Sequence, residues 1–414
     1  MVTTGNRSAP APSVISRRRS LPSALVLCSS AVFGLQIGVA RLGYGLALPA
    51  IRHSLQGSYA LYGAINAASL GGYLAGALLA PLLIRRVHPL VLASSAVAGA
   101  ALAASAFASS PLAFGVARTV FGVASGVALV AAAVQTLESV EAARRGGASA
   151  VMWAGIGVGL ALSALGSSWL LRAALDWRIA SFVAGALTLA AGIGYDAVTR
   201  RVAARVVPSS AAQTSSLSAR FDYRDLLRPR RFLFLCLSYG AFGFAYIAYA
   251  TFIVASLDAR LAPRGASATI EHLWGLYGLT SVIGALAVGR LLEGPLGRGA
   301  MAFAGLAGAA GCVAVFVSLQ AAVPSAILVG LGLTATPAAA TALARARTTP
   351  AGAPVAIAAV TVAVGIGQLI GPLAAGIAAD RFGLNSVALV AGCAYLLGTV
   401  LAAVDAFAAR EAAA

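Results

Sequence analysis

Long apolar runs determine what this chain can fold into. Twelve segments of about 20 residues or more are almost free of charged side chains, and each is bounded by arginine, proline or a short polar stretch. A helix needs about 20 apolar residues to cross a bilayer, so the runs predict an all-α, polytopic membrane protein with twelve transmembrane helices. The predicted spans are 21–49, 58–84, 89–109, 111–137, 149–171, 178–198, 231–257, 271–292, 299–320, 325–344, 353–379 and 384–407. Only 10% of the residues are charged, against about 25% in soluble domains, which excludes a soluble enzyme and a disordered protein.

The basic residues, all of them arginine, predict the orientation in the membrane. There are 29 against 12 acidic residues, a formal net charge of +17, and such a charge can indicate nucleic-acid binding. With a cytoplasmic N-terminus, 21 arginines fall on the inner side, six on the outer side, and two, Arg41 and Arg118, within helices. The positive-inside rule then predicts a multi-pass protein of the cell (inner) membrane with both termini in the cytoplasm, and no nucleic-acid partner is needed. The arginines at 17–19 precede an apolar run too long for a signal peptide, so we expect an uncleaved first helix.

The apolar chain divides into two halves of nearly equal length. The predicted organisation is a cytoplasmic tail (1–20), an N-terminal six-helix bundle (21–198), a polar cytoplasmic loop (199–230), a C-terminal six-helix bundle (231–409) and a short cytoplasmic tail (410–414). The loop is interpreted as a linker whose arginines face phospholipid, with a regulatory or partner-binding role as the alternative. Gly155–Ile156–Gly157 recurs 210 residues later as Gly365–Ile366–Gly367. The bundles are therefore predicted to be two pseudo-repeats.

Three motifs resemble those of the major facilitator superfamily. The segment 289–298 resembles its cytoplasmic loop signature, with Glu293 where that signature has Asp. Arg118-Thr-Val-Phe-Gly122 resembles its intramembrane Arg-x-x-x-Gly motif, and Asp176-Trp-Arg178 is similar to its Trp-Arg helix start. Residues 41–49 are similar to the YbfB/YjiJ-type branch. The resemblance implies secondary transport by alternating access, with Arg118 tuning the protonation of a nearby acid.

The sequence also departs from that pattern. After the second span, Ala80 and Pro81 replace the acidic residue and the arginine of the loop signature, and the fifth span lacks the Gly-Pro pair associated with antiporters in the family. The segment 376–383 fits the loop signature, although the predicted topology places it outside. Because the arginine count favours that topology, we keep this segment on the outer side.

The candidate functional residues are the polar, charged and aromatic side chains within spans, since such groups are costly in a bilayer. Arg118 is predicted to lie about 10 Å inside the outer interface, and Arg41 shares a helix face with Tyr44 near the outer end. Snorkelling arginines, interhelix packing and an aromatic belt are the alternatives. The predicted substrate-cavity residues are Arg41, Tyr44, Asn66, Arg118, Gln135, Tyr239, Phe242, Tyr246, Tyr249 and Gln368. The predicted helix-packing glycines are Gly122 and Gly126, and the predicted cytoplasmic-gate residues are Arg85, Arg86, Gly289, Arg290, Glu293 and Arg298.

These residues predict a secondary active transporter of a small organic molecule. Efflux is favoured because an aromatic, carboxylate-poor cavity suits apolar compounds, and uptake or exchange of an organic anion is the alternative motivated by Arg41 and Arg118. A non-transporting membrane enzyme or sensor is the third hypothesis. Proton coupling is implied by the family only, since no Asp or Glu falls at mid-depth in a span. No cofactor or metal is expected, because the cysteines and histidines are dispersed. The expected partners are the substrate and membrane lipid, and the protein is expected to be a monomer.

Overall fold

The computed structural model describes residues 14–84, 89–141, 144–172, 176–203, 230–261, 263, 268–293, 299–348 and 352–411, and within them the chain is almost entirely helical. The helices are α1 (Val14–Phe33), α2 (Gly43–Leu55), α3 (Tyr59–Ile84), α4 (Leu90–Ser105), α5 (Pro111–Ser139), α6 (Arg145–Arg172), α7 (Trp177–Ala203), α8 (Arg230–Leu261), α9 (Ala268–Glu293), α10 (Ala300–Val317), α11 (Ala322–Ala346), α12 (Ala353–Phe382) and α13 (Ser386–Glu411). A π-helical segment, Gly34–Leu42, joins α1 and α2 into one continuous rod, and a 3₁₀ turn, Leu319–Ala321, precedes α11. We call α1–α7 the first half and α8–α13 the second half.

Ten of the described helices, with α1 and α2 counted as one rod, are long and apolar enough to cross a membrane. The apolar helix α4 is shorter, and α9 is not among the ten. Large apolar side chains cover the outside of the bundle, as at Leu82, Phe107 and Leu112, of which Phe107 is 80% exposed. Such a surface is stable against lipid and unstable against water. These features indicate a multi-pass membrane protein.

Each predicted run overlaps one described helical rod, and the largest boundary difference is in the first. That rod continues through Pro49 to Leu55, where positive φ angles at Gln56 and Gly57 end it. Arg52 and His53 in its last turn suit the negative end of the helix dipole. Arg41 therefore lies about 20 Å before the end of the rod. Arg41 thus lies farther from the end of its helix than predicted, because six further residues extend the helix beyond residue 49.

The packing of the first half recurs in the second. In the first half, α3 packs on α5, α4 packs on α5 and α7, and the first rod packs on α6 and α7. In the second half, α9 packs on α11, α10 packs on α11 and α13, and α8 packs on α12 and α13. If the helical rods are numbered from the start of each half, the rods with the same numbers pack together in both halves.

Glycines form an equivalent seam in each half. In the first half, a Cβ added to Gly155 would lie 2.2 Å from the carbonyl oxygen of Ser30. In the second, a Cβ added to Gly367 would lie 1.9 Å from the carbonyl oxygen of Gly240. These positions are 212 residues apart, whereas the sequence motif aligns Gly155 with Gly365. In the structure Gly155 therefore corresponds to Gly367 and not to Gly365, a shift of two residues from the sequence motif. Gly365 faces Leu74 of the first half and is not part of the seam within the second half.

Among the described residues the two halves meet chiefly along three helix pairs, α2 with α8, α3 with α12 and α6 with α9, and α6 also touches α11. Glycines bring the backbones close in all three. A Cβ added to Gly45 would lie 1.9 Å from the carbonyl oxygen of Ala250. A Cβ added to Gly63 would lie 2.2 Å from that of Pro372, and one added to Gly157 would lie 2.5 Å from that of Gly278. The end of the bundle where α2 and α12 terminate and α3 begins is called the Asp380 end below.

Candidate substrate-binding site

Arg118 of α5 is buried against the π-helical segment. Its side chain is 4% exposed, and its Nη1 donates a hydrogen bond to the carbonyl oxygen of Ala40 at 2.9 Å. Its guanidinium carbon lies 5.1 Å from the ring centroids of both Tyr44 and Phe121. The Nε and Nη2 atoms are buried without a hydrogen-bond partner. Arg118 therefore joins α5 to the first rod and keeps unused donors.

Arg41 lies in the last turn of the π-helical segment and is 5% exposed. Its guanidinium carbon is 3.7 Å from the ring centroid of Tyr73 in α3, while its Nη2 is buried without a partner. A desolvated cation–π contact stabilises by about 2 kcal/mol, and burying a charge costs several kcal/mol. Among the described residues no carboxylate pairs with Arg41 or Arg118. Their two buried positive charges thus lack a counter-charge in this part of the protein.

Polar contacts from α3 surround the two arginines. The Tyr44 hydroxyl donates to the carbonyl oxygen of Tyr62 at 2.9 Å, and the Ser69 hydroxyl donates to the backbone carbonyl of Arg118 at 2.8 Å. Asn66 Nδ2 donates to Thr251 Oγ1 of α8 at 2.8 Å, which links the two halves. The Asn66 Oδ1 is buried and unpartnered. This surface therefore offers both unused donors and an unused acceptor.

The second half contributes a tyrosine and an amide opposite Arg41. Gln368 Nε2 of α12 donates to the hydroxyl of Tyr246 in α8 at 2.7 Å. α3 meets α12 at this level, because Gly71 faces Leu369 and Gly365 faces Leu74. Tyr73, on which Arg41 stacks, lies between Gly71 and Leu74 in α3. Residues from the first rod, α3, α8 and α12 thus come together between the halves.

The aromatic residues of α8 predicted as a stripe stack on one another along the helix. Tyr239 and Tyr246 both stack on Phe242, with ring centroids 6.0 and 5.2 Å apart, and Phe242 packs edge-on against Tyr395 of α13. The Tyr249 hydroxyl shares a hydrogen bond with Ser325 of α11 at 3.0 Å. Residues three and four apart share a helix face. Phe242 and Tyr249 therefore contact other helices of the second half, while Tyr246 on the same face binds Gln368 of α12.

Other predicted residues lie apart from this site or outside the described part of the chain. Gln135 lies beside Tyr195 and Asp196, about 25 Å along α5 from Arg118. Of the predicted cytoplasmic-gate residues, Arg85, Arg86 and Arg298 lie outside the described residues. Gly289, Arg290 and Glu293 form the end of α9, and their side chains are not described. The ion pairs expected of this gate stay a prediction.

Four side chains that the predicted cavity did not include contribute to these contacts. They are Gln36, Tyr73, Thr251 and Asp380. Gln36 is fully buried in the π-helical segment and donates to Ser95 Oγ at 3.1 Å. Tyr73 shares a helix face with Asn66 and Ser69, so its spacing could have indicated it. Thr251 is a common residue within an apolar helix and carries no comparable signal.

Asp380 binds the start of a helix in the opposite half. Its two carboxylate oxygens accept hydrogen bonds from the backbone N–H groups of Tyr59 at 2.9 Å and of Ala60 at 2.8 Å. The first N–H groups of a helix have no partner within the helix, and the helix dipole favours a negative charge there. Asp380 of α12 thus caps α3 and fastens the halves at the Asp380 end.

Replacing Arg118 with lysine is expected to destabilise the protein by about 1–2 kcal/mol. Lysine keeps the charge but cannot both stack between Tyr44 and Phe121 and reach the Ala40 carbonyl as a planar guanidinium does. Thermal unfolding of the detergent-solubilised protein measures the effect. Arg200→Lys is the control, because Arg200 pairs with Asp196 at the surface. An unchanged unfolding temperature in Arg118→Lys would contradict a tethering role.

The apolar helices and the polar residues enclosed between two similarly packed halves define a membrane protein of the transporter class. The chain belongs to the major facilitator superfamily, in the family described as uncharacterised MFS-type transporter YbfB, which it matches over residues 33–404. This confirms the resemblance drawn from the sequence motifs. No curated protein sequence matches the chain.

Solved structures of transporters share the fold. A mutant of the nucleoside transporter NupG superposes with a TM-score of 0.72 at 14% identity, over 94% of this chain and 98% of that one. A bacterial homologue of the human lysosomal transporter Spinster, inward-facing and unoccupied, gives 0.67 at 16% identity over 96% of each chain. The inward-facing, occupied form of that homologue gives 0.64 at 15% identity, over 94% of this chain and 95% of the other.

Proposed function

We propose that this protein is a secondary active transporter that moves a small organic molecule across the inner membrane by alternating access. In this proposal twelve helical rods span the bilayer as two six-helix pseudo-repeats, a layout supported by the recurring helix pairs and glycine seams. The arginine distribution favours cytoplasmic termini, which makes the Asp380 end the outer end. Major facilitators bind substrate near the midplane between such repeats.

The observation that carries this proposal is the cap that Asp380 places on α3. It joins the halves at the outer end, 2.8–2.9 Å from two backbone N–H groups, while Arg41, Tyr73, Tyr246 and Gln368 meet deeper between them. A carrier must close one side of its site while the other can open. The arrangement corresponds to a state that is closed at the outer end.

Two substrate hypotheses follow from the sequence, and the buried arginines favour one of them. Efflux of an apolar compound leaves the two unpaired positive charges without a role. Uptake or exchange of an organic anion gives them a counter-charge each time substrate binds. Proton coupling needs a titratable group in the transport path. Asp258 of α8 and Glu271 of α9 lie near the Asp380 end and not at mid-depth, so proton coupling stays an expectation from the family.

Reconstitution into liposomes tests the transport proposal. Liposomes that contain the purified protein are loaded with one unlabelled solute at a time from a panel of organic anions, cations and neutral compounds. Entry of the same solute in radiolabelled form is then followed. We expect saturable counterflow of at least one solute, absent from protein-free liposomes. Imposed pH gradients then show whether protons are coupled and in which direction net transport runs. Failure of every solute to move would contradict transport and favour an enzyme or sensor.

A further inference from the structure

We infer that the protein binds its substrate through a carboxylate group held by Arg41, and that the substrate is a small organic carboxylate with an aromatic or apolar body. This inference rests on the proposed transport function and specifies the substrate of the same site. It concerns an arginine that is 5% exposed, inside a membrane span, with no acidic partner among the described residues.

Charge balance is the first argument. Arg118 binds the carbonyl oxygen of Ala40, which directly precedes Arg41 in the chain, so the two buried arginines are neighbours. The described ion pairs of other arginines involve Asp176, Asp196 and Asp405 instead. A buried charge that lacks an internal partner is costly in a membrane. An anion bound between the halves would neutralise this excess, whereas a cation would add to it.

The available donors favour Arg41 over Arg118 as the group that contacts the substrate. Arg118 is tethered to the Ala40 carbonyl and enclosed by Tyr44 and Phe121. Arg41 makes no side-chain hydrogen bond to the described part of the chain, and its Nη2 is buried and unpartnered. Tyr73 covers one face of its guanidinium, which leaves the edge for a carboxylate. Arg118 is therefore a positioning residue, because the carbonyl group that it binds belongs to Ala40, the residue before Arg41.

The surroundings define the rest of the ligand. Tyr73 and Tyr246 present phenol rings, Gln368 presents an amide, and Asn66 Oδ1 is an unused acceptor. Phenol rings accommodate an aromatic or apolar body. Phosphate needs more donors than this set offers, because it has three terminal oxygens to satisfy. A monocarboxylate can accept from the unpartnered Nη2 of Arg41, which leaves the Asn66 Oδ1 acceptor for a neutral group of the ligand.

Ligand-dependent thermal unfolding in detergent tests the inference with matched probes. The probes are benzoate with benzamide, hexanoate with hexanamide, and phenyl phosphate, each applied to wild type, Arg41→Gln and the control Arg200→Gln, which removes the same charge from the surface pair with Asp196. We expect at least one carboxylate, but not its amide, to raise the unfolding temperature of wild type and of Arg200→Gln. Arg41→Gln is expected to weaken the apparent affinity for that carboxylate about tenfold or more.

A merely structural role for Arg41 predicts a different result. If Arg41 stabilised the fold, Arg41→Gln without ligand would unfold at a lower temperature. Because the substitution removes an unpaired buried charge, we expect the ligand-free variant to be as stable as wild type or more stable. Equal stabilisation by a carboxylate and its amide, stabilisation by phenyl phosphate alone, or no response to either carboxylate would overturn the inference.

The counterflow panel separates this inference from the transport proposal. Saturable movement of neutral or cationic solutes, with no anion transported, would leave transport standing and overturn the carboxylate assignment. Carboxylate binding at Arg41 without counterflow of any solute would support the binding site and contradict transport.

Discussion

Substituting alanine for Asp380 is expected to open the protein at the Asp380 end. The change removes both acceptors for the N–H groups of Tyr59 and Ala60 and the negative charge at the start of α3. Hydrogen bonds to a charged group contribute about 1.5–3 kcal/mol each, and such contributions are not additive. A loss of about 2 kcal/mol would shift the ratio of closed to open protein roughly 30-fold.

Spin-label distances at the Asp380 end measure this opening. Labels at Phe107 and Gln320, both exposed and in turns of opposite halves, report separation when the native cysteines are replaced by serine. Asp176→Ala is the control, because that carboxylate lies at the same end but pairs with Arg178 within the first half. We expect a longer distance to gain population in Asp380→Ala only. Identical distance distributions in both variants would show that the cap does not hold the halves together.

Replacing Gly122 with alanine is expected to have the largest effect on stability. A Cβ at Gly122 would lie 2.0 Å from the carbonyl oxygen of Ser69. This is a backbone atom of the α3–α5 seam that cannot rotate away. Overpacking costs about 1–3 kcal/mol, and a clash with backbone belongs at the upper end of that range. Gly126 faces Tyr73 in the same way, at 2.2 Å, so the two predicted packing glycines lie in one seam.

Gly166→Ala is the matched control for this prediction. An added Cβ at Gly166 meets nothing within 4 Å, and alanine has a higher helix propensity than glycine by up to about 1 kcal/mol. Thermal unfolding in one detergent should therefore show a strong decrease for Gly122→Ala and no decrease for Gly166→Ala. Equal unfolding temperatures would mean that α3 and α5 can separate at little cost.

The sequence predicted the helical rods better than the partners of individual side chains. Hydropathy located every described helical rod because apolar length is a one-dimensional property. The first rod is longer than predicted because Pro49 was taken as a boundary and is accommodated within the helix. Helical spacing placed the four aromatic residues of α8 on one face, but the partners of Tyr246 and Tyr249, Gln368 and Ser325, depend on the positions of the neighbouring helices.

Asp380 illustrates what sequence patterns leave undecided. Its segment was recognised as a copy of the loop signature, and its outer placement gave it no expected partner. The partner is a pair of backbone N–H groups more than 300 residues away in the chain, and backbone groups carry no sequence signal. Likewise, the two-residue offset between the sequence repeat and the glycine seams arises from tertiary packing.

The glycines between the halves have a mechanical consequence. Gly45, Gly63 and Gly157 each face a backbone carbonyl of the opposite half, so at these crossings the two surfaces meet as smooth backbone rather than as interlocked side chains. Interlocked surfaces can part only after side chains change rotamer, whereas smooth ones lift apart directly. The barrier to parting is then concentrated in a few polar bonds between the described residues, the Asp380 cap, the Asn66–Thr251 bond and the Trp274–Ser163 bond. The rate at which the Asp380 end opens can therefore be adjusted at those points without repacking either half.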